Sequence, residues 1–433
     1  MVGAPVASAD YVRDGQWANQ EFDLQKVWSV SKGDGVVVAL VDSGVDASHP
    51  DLTGQVLDGY DPSGKGLNAH PTAPHGTQMA GLIAAHGHGD GEGAVGLAPG
   101  AKILPIYQAR VRGIDAVPED IKWAVDHQAR VVNLSLGGAE YRDPKLADAI
   151  AYAAEKDVLL VVAAGNEGGP VAAPANQPGV LAVGAVDKNN TAWDMSNHGP
   201  EVMLTAPGVR IVSTGSCNGN QYCIGDGTSD ATAYVSAAAA LVRAKFPKLT
   251  AGQVANRLVK SAYVPSSLQG VKSPDQHYGY GIVRPYEALT QDIPEGPAQG
   301  PLAKPVGAED AGSGGQAAGA ASPGVTNPGS TGRALAADSS SHSKAVIVLA
   351  AAGGGIVFLI ALIVVIATVS RRRNSVQNLA GQAPYVAQQQ CGALPVWPQQ
   401  VQPPYGSQAP PTGYPPQQSH QGNPYYGQGG THP

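Results

Sequence analysis

The segment Val36-Val37-Val38-Ala39-Leu40-Val41-Asp42-Ser43-Gly44 is an unbroken apolar run that stops at an aspartate and a turn. Such a run is typical of a β-strand buried on both faces of a parallel sheet. Similar runs occupy residues 103–106, 131–134, 158–163 and 180–183, and helical patterns between them occupy residues 76–85, 118–128 and 144–155. Because strands alternate with helices, we expect an α/β fold with a parallel sheet flanked by helices and joined by right-handed crossovers.

The chain divides into segments of different composition. Two further helical patterns, at 229–246 and 250–261, complete a predicted domain that spans residues 36–290. Residues 1–35 form an N-terminal extension, whose Trp17 and Trp28 we expect to pack on the domain surface. Residues 291–344 are rich in Gly, Ala, Ser and Pro and read as a flexible linker, whereas the Gln/Pro/Tyr-rich residues 370–433 cannot bury enough apolar surface to fold.

Residues 345–369 predict a transmembrane helix. This segment has no charged residue and no proline, and it is long enough to cross a bilayer with some tilt. Lys344 precedes it and Arg371, Arg372 and Arg373 follow it, which places the C-terminal side in the cytoplasm. The alternative is a buried core helix, but the flanking segments offer no core. We therefore expect a single-pass protein of the cell membrane, in contact with lipid through 345–369, with residues 1–344 extracytoplasmic.

Composition and the N-terminus narrow the function classes. The 433 residues carry a formal net charge of -7, which argues against nucleic acid as a partner. Three cysteines exclude a disulfide-dense scaffold and a zinc site of four thiolates. Ala7-Ser8-Ala9 resembles the small-residue end of a signal peptide, so residues 1–9 are interpreted as a possible remnant. We expect the natural start upstream, or a processed chain, which N-terminal sequencing would test.

Asp42 and His75 are candidate catalytic residues. Asp42 ends the first strand, and open α/β sheets place their sites at the carboxyl ends of strands. The alternative for Asp42 is a turn or capping residue. His75 begins an apolar helix and is followed by a glycine that allows close approach; it could instead be an ordinary residue at a helix start. The histidines at 86 and 88 lie in a Gly/Asp-rich loop, where we expect solvated side chains and no metal.

Ser229 and Asn166 complete the set of candidates. Ser229 follows the glycine-rich turn 225–228 and opens a helix of small residues, so it is either a nucleophile on a tight turn or a helix N-cap. Asn166 lies just past the run 158–163. Its amide can donate to a developing oxyanion, although asparagine is also common in turns.

The joint order of these residues resembles one protein family. Asp, His and Ser follow one of the chain orders known for hydrolytic triads. Residues 36–289 closely resemble the subtilisin-like serine proteases (subtilases, peptidase S8). The resemblance rests on these segments: VDSGVD at 41–46 with HPDL at 49–52, HGT at 75–77, NLSLGG at 133–138, AGN at 164–166 and GTS at 227–229.

The resemblance implies a serine endopeptidase with a polypeptide substrate. Ser229 would attack the peptide carbonyl, His75 would act as general base and then acid, and Asp42 would orient the imidazole. Asn166 and the Ser229 backbone N–H would form the oxyanion hole. The substrate-binding residues implied are Ser135, Leu136 and Gly137, which would pair with an extended substrate, and Ala164 and Gly165, which would floor the first specificity pocket. No cofactor is required, and no metal site is predicted; whether structural calcium binds stays open.

Two positions depart from the family pattern, which usually has an apolar residue after the serine and a proline four positions after it. Here these are Asp230 and Ala233. A carboxylate in the first turn suits the helix dipole, but near the site it would disfavour an oxyanion and raise the pKa of His75. The alternative is that Asp230 points away from the cleft.

The cysteines predict one disulfide. Cys217 and Cys223 bracket a short loop before the Ser229 turn, and in an exported domain we expect them to pair. The alternative is two free thiols. Cys391, on the predicted cytoplasmic side, should stay reduced.

The layout resembles one subgroup, the mycosins, which are membrane-anchored subtilases of bacterial type VII secretion systems. Residues 96–105 and 279–283 also look like theirs. Membership implies that the protein processes a secreted substrate and contacts the membrane complex of the secretion system. Two alternatives stay open: a general surface subtilase, which gene neighbourhood would identify, and a mainly structural subunit of a secretion complex, in which the catalytic residues are dispensable.

Overall fold

The computed structural model describes residues 11–108, 116–137 and 144–305. The predicted membrane segment 345–369, the predicted tail 370–433, Cys391 and the predicted signal-peptide remnant 1–9 lie outside these ranges. Within the described ranges, no helix has the length and apolarity needed to span a membrane.

The bounds of the elements are as follows. The strands are β1 Val37–Asp42, β2 His86–His88, β3 Glu92–Val95, β4 Lys102–Tyr107, β5 Val131–Leu134, β6 Leu159–Ala163, β7 Leu181–Val186, β8 Val202–Pro207, β9 Ile211–Cys217 and β10 Asn220–Gly225. The α-helices are α1 Tyr11–Gly15, α2 Trp17–Phe22, α3 Leu24–Trp28, α4 His75–Ala84, α5 Val117–Asp126, α6 Pro144–Glu155, α7 Thr228–Lys245, α8 Ala251–Lys260 and α9 Pro285–Thr290. Short 3₁₀ turns lie at Pro50–Leu52 and Ser266–Leu268.

Six strands form one parallel sheet in the order β4-β1-β5-β6-β7-β8. β1 lies between β4 and β5, so the strand order reverses beside it, and ligands of open α/β sheets bind at such a switch point. Side chains of β1 enter two cores in alternation. Val38 and Leu40 pack with residues of α4 and α7, while Ala39 and Val41 pack with residues of α5 and α6. The predicted parallel sheet flanked by helices is confirmed.

β8 was not predicted from the sequence. Thr205 interrupts its apolar pattern, yet this residue is fully buried and its hydroxyl donates to the carbonyl of Gly281 at 3.3 Å. The bond satisfies a polar group inside the core, which periodicity alone does not reveal. The antiparallel pairs β2–β3 and β9–β10 are also additions to the predicted elements.

The N-terminal extension does not only pack on the domain surface; some of its side chains are buried in the core. Phe22 and Val27 are buried, and Phe22 meets the buried ring of Tyr234 on α7 edge to face, with centroids 5.3 Å apart. The indole N–H of Trp17 donates to Val209 O at 3.1 Å, and that of Trp28 donates to Leu97 O at 3.0 Å. Residues 11–28 therefore pack against the domain, and Phe22 and Val27 belong to its main core.

The packed chain continues past the predicted boundary at residue 290. Polar side chains of α8 hold this segment: Thr250 Oγ1 donates to Ala298 O at 2.6 Å, and Gln253 Nε2 donates to Gly296 O at 3.1 Å. Leu302 is 7% exposed and joins the main core. The side-chain bonds and this apolar anchor hold residues 291–305 against the domain.

Asp157 connects three parts of the domain through hydrogen bonds. Its carboxylate accepts from Arg130 Nη2 at 2.9 Å, Arg243 Nη1 at 3.2 Å and the first backbone N–H of α8 at Ala251. Arg243 is nearly inaccessible, and burial lowers its pKa to about 10, so it remains charged at neutral pH. Asp157 itself has φ of 59°, a conformation that Asp and Asn tolerate better than other side chains.

We expect Asp157→Ala to lower the free energy of unfolding by about 3 kcal/mol, because it leaves the buried Arg243 without its carboxylate. Asp157→Asn should cost less, since asparagine keeps the backbone conformation and the bond to Ala251. Urea unfolding of the full chain measures both. Glu155→Ala, which removes a neighbouring exposed carboxylate, should stay within about 0.5 kcal/mol of the parent. Equal losses for Asp157→Ala and Glu155→Ala would contradict this account.

Candidate active site

Asp42 and His75 form a hydrogen-bonded pair at the carboxyl end of β1. His75 begins α4, and its Nδ1 lies 2.8 Å from both Asp42 Oδ1 and Oδ2. Asp42 is 7% exposed, and its Oδ1 also accepts from the Ser43 N–H at 2.6 Å. A Cβ on Gly76 would lie 2.1 Å from Gly44 O, so only glycine allows α4 to approach the turn this closely. The carboxylate thus holds the imidazole through Nδ1.

Ser229 lies in the first turn of α7 at the end of the neighbouring strand. Its Oγ is 3.4 Å from Ser135 O, and Ser135 Oγ donates to Ser229 O at 3.1 Å. Ser135 directly follows β5, which pairs with β1. α7 is buried from Thr228 through Arg243, and its small residues let it cross closely behind the sheet. The fold therefore brings Ser229 to the sheet edge that carries Asp42.

Asn166 is held with its amide oxygen turned toward α7. Oδ1 accepts from Thr228 N at 2.9 Å and from Thr228 Oγ1 at 2.8 Å. Because both bonds use the oxygen, the amide N–H groups are left on the other side, and Nδ2 lies 3.6 Å from where a Cβ on Gly227 would stand. Thr228 was not singled out from the sequence, although it lies within the GTS segment and next to the candidate nucleophile.

The predicted substrate-binding residues lie on two neighbouring loops. Ser135, Leu136 and Gly137 follow β5 without entering another element, and Gly137 is exposed. Ala164 and Gly165 follow β6, with Ala164 buried at 1% exposure. Gly165 has φ of +113°, a backbone conformation that favours glycine. The two loops start from adjacent strands and so flank the same part of the sheet edge.

Asp230 lies on the same side of the turn as the Asn166 amide. A Cβ on Gly227 would be 3.3 Å from Asp230 Oδ2 and 3.6 Å from Asn166 Nδ2, so both groups border one small region. Asp230 is 1% exposed. Burial, and then the charge of Asp230, raises the pKa of Tyr234, one turn further along α7. The carboxylate therefore exerts its field close to the amide that would meet an oxyanion.

A disulfide joins Cys217 at the end of β9 to Cys223 in β10, with Cα atoms 5.5 Å apart. This hairpin supports α4. Thr214 Oγ1 donates to Thr77 O at 2.6 Å, and Gln78 Nε2 lies 3.6 Å from Cys217 Sγ. The hairpin thus braces the helix whose first residue is His75.

The histidines at 86 and 88 are not simply solvated. His88 Nδ1 pairs with the fully buried carboxylate of Asp51, and the exposed His86 contacts Thr53 O at 2.9 Å through Nε2. For His88 the expectation of a solvated side chain is wrong, because the buried Asp51 carboxylate pairs with it, and nothing near residue 88 in the sequence reveals that contact. Among residues 11–108, 116–137 and 144–305, no group of three or more His, Cys, Asp or Glu side chains is arranged to hold a metal ion.

Two protein sequences illustrate the relatives of this chain. Fervidolysin of Fervidobacterium pennivorans is 36% identical over 305 residues, which cover 62% of this chain and 43% of that protein. The thermophilic serine proteinase of Bacillus sp. (strain AK1) is 34% identical over 285 residues, which cover 65% of this chain and 68% of that protein. The chain thus spans less than half the length of fervidolysin and about two thirds of the Bacillus proteinase.

Solved structures show the same fold. MycP1 from Mycobacterium smegmatis superposes with a TM-score of 0.57 and 30% identity, covering 66% of this chain and 87% of that chain. The MycP3 protease from the type VII (ESX-3) secretion system gives a TM-score of 0.54 and 33% identity over 64% of this chain and 88% of that chain.

A family model matches the part of the chain that contains this site. The model described as the subtilase family, peptidase S8, matches residues 33–281, which include β1, α4, the Asn166 loop and the start of α7. This match covers more than half of the chain and contains every side chain placed at the sheet edge above. The chain belongs to the subtilase family.

Proposed function

We propose that this protein is a membrane-anchored serine endopeptidase that hydrolyses polypeptides outside the cytoplasm with Asp42, His75 and Ser229. The observation that carries the proposal is the contact of His75 Nδ1 with both carboxylate oxygens of Asp42, at the sheet edge where Ser229 lies in the first turn of α7. An imidazole held through Nδ1 by a buried carboxylate is the arrangement that a general base requires.

The reaction follows from the chemistry of these groups. His75 Nε2 takes the proton of Ser229 Oγ while Oγ forms a bond to the substrate carbonyl carbon. The resulting oxyanion receives hydrogen bonds from Asn166 Nδ2 and the Ser229 N–H. When the C–N bond breaks, His75 returns the proton to the leaving amine. Water then attacks the acyl-enzyme and gives a proton to His75. His75 passes that proton to Ser229 Oγ as the ester C–O bond breaks and the acid is released.

The substrate would bind as an added strand. Ser135, Leu136 and Gly137 supply backbone donors and acceptors beside Ser229, and backbone pairing holds a peptide without regard to most of its side chains. Ala164 and Gly165 would floor the pocket for the residue before the cleaved bond. Polypeptides, and not small esters, are therefore the proposed natural substrates.

We place the protein among the mycosins. Support comes from the similarity to MycP1, one solved form of which is described as coming from the ESX-1 type VII secretion system, and to MycP3 of the ESX-3 system. The apolar segment 345–369, followed by three arginines, supports anchoring with the catalytic domain outside. The proposed role is to process a polypeptide secreted by such a system, in contact with its membrane complex.

A membrane-impermeant fluorophosphonate probe applied to intact cells tests the activity and the topology together. Labelling of the full chain from outside would agree with both. Labelling only after lysis would contradict the topology but keep the activity. Absence of labelling in both preparations would overturn the proposed protease.

One observation favours a second candidate function, that of a structural subunit. Asp230 lies near the oxyanion-binding amide, where its charge would slow catalysis. Complementing a deletion strain with Ser229→Ala separates the two. Restored secretion would favour the structural role, and failed secretion with normal protein level would favour the protease.

We expect Asp230→Asn to raise kcat/KM near neutral pH by about tenfold. Removing a negative charge from the vicinity of a developing oxyanion is worth ~1–2 kcal/mol at the effective dielectric of a protein surface. Asp226→Asn is the matched control, because Asp226 lies in the same turn but its carboxylate accepts from Arg210 N. The control should change kcat/KM less than twofold. Unchanged kinetics of Asp230→Asn would show that its charge does not reach the reacting atoms.

A further inference from the structure

The loop that carries Asn166 is held by one buried side chain from another loop. Asn197 lies after β7 and is 3% exposed. Its side-chain Oδ1 accepts from the Glu167 N–H and the Gly169 N–H, both at 3.0 Å. Its backbone N–H donates to Gly165 O at 2.9 Å. These bonds attach to the chain on both sides of Asn166.

A fourth bond links Asn197 to the backbone of Asn166 indirectly, through the carboxylate of Glu167. Asn197 Nδ2 donates to Glu167 Oε2 at 2.8 Å, and the same oxygen accepts from the Asn166 N–H at 3.0 Å. The carboxylate of Glu167 is thus fixed by Asn197 and in turn fixes the main chain of Asn166. The side chain of Asn166 is held separately, by Thr228.

The packing around Asn197 leaves little freedom for another arrangement. A Cβ on Gly165 would lie 2.2 Å from Asn197 Nδ2, so glycine is needed for the loop to approach the amide. Ser196, the preceding residue, ties this region to β7, because its Oγ accepts from the Ala185 N–H at 3.2 Å and donates to Asn197 O at 3.2 Å. Asn197 is therefore anchored to the sheet as well as to the loop.

We infer that Asn197, through the carboxylate of Glu167, is a positioning residue that sets Asn166 for oxyanion binding. A donor is effective only when it already points to where the oxyanion forms, because reorientation during the reaction costs free energy. Thr228 fixes one end of Asn166, and the pair of Asn197 and Glu167 fixes the other. This inference rests on the proposed protease function.

A double-mutant cycle in the full chain tests it, with p-nitrophenyl acetate as the probe substrate. Asn166→Ala should lower kcat by ~10²–10³, the range for loss of one oxyanion donor. Asn197→Ala should lower kcat about tenfold with KM within twofold. In the Asn166→Ala background, Asn197→Ala should change kcat less than twofold, because the group that it positions is gone. A further tenfold fall in that background, or a rise in KM at unchanged kcat, would overturn the inference.

Two sets of control variants distinguish a positioning role of Asn197 from a general loss of stability. Asn19→Ala removes another buried asparagine, whose amide donates to Val95 O in β3, and should lower Tm while keeping kcat. Glu167 is exposed, so its variants should fold: Glu167→Ala should lose kcat about as Asn197→Ala does, and Glu167→Gln, which keeps an acceptor oxygen, should restore it to within about threefold. Wild-type kcat for Glu167→Ala would contradict the inference alone. No turnover by the parent protein would overturn the proposed function and the inference with it.

Discussion

Ser229→Ala is expected to abolish hydrolysis of fluorescent casein and labelling by a fluorophosphonate while leaving the fold intact. The reaction proposed above forms its covalent bond through Ser229 Oγ, so kcat should fall by a factor on the order of 10⁶. The substitution removes only a hydroxyl that contacts Ser135 O at 3.4 Å, and such a loss costs about 1 kcal/mol or less. Casein turnover, labelling and thermal unfolding of the full chain measure the three effects.

Ser261→Ala is the matched control for this result. Ser261 is also buried, at 5% exposure, but its hydroxyl donates to Arg257 O at the end of α8, away from the sheet edge. This variant should keep its casein activity and its labelling. If Ser229→Ala retained most of the parent activity, the nucleophile would be another residue and the proposed mechanism would fail.

Much of the fold could be predicted because β1, β4, β6 and β7 are buried on both faces and are almost wholly apolar, and β5 is so apart from Asn133. The position of the candidate residues after these strands then placed them at one edge. β8 was missed since a satisfied buried threonine breaks its pattern. The core role of the N-terminal extension was missed for a related reason: Gln16 is 2% exposed because its side chain donates to the carbonyl of Val95 and accepts from the Val95 N–H, a contact between distant residues.

The difference between signals visible in the local sequence and contacts between distant residues also applies to the site. Asp42, His75, Asn166 and Ser229 each carry a local signal, namely a strand end or a helix start beside a glycine. Asn197 carries none. Its importance comes from four hydrogen bonds to a loop about thirty positions away in the chain, and only the folded backbone brings those groups together. Residues that supply chemistry were therefore easier to predict than residues that position them.

Asp42→Asn is expected to lower kcat by ~10⁴ with little change in KM. Asp42 presents two acceptor oxygens to His75 Nδ1, so the neutral imidazole carries its proton on Nδ1. Nε2 is then unprotonated and can receive the proton of Ser229. An asparagine can turn its NH₂ toward Nδ1 and stabilise the opposite tautomer. In that tautomer Nε2 already holds a proton and cannot act as a base. Steady-state kinetics on casein-derived peptides separates kcat from KM.

Asp46→Asn provides the comparison that makes this result specific. Asp46 lies on the same turn and loses the same charge, but its Oδ1 accepts from the Ser48 N–H at 2.9 Å and the Ser48 hydroxyl at 2.6 Å. If the tautomer argument holds, Asp46→Asn should keep kcat within about threefold of the parent. Comparable losses in both variants would mean that the negative charge of the turn matters, whichever side chain carries it. A loss confined to Asp42→Asn would instead require the direct bond to the imidazole, because the two substitutions change the net charge equally.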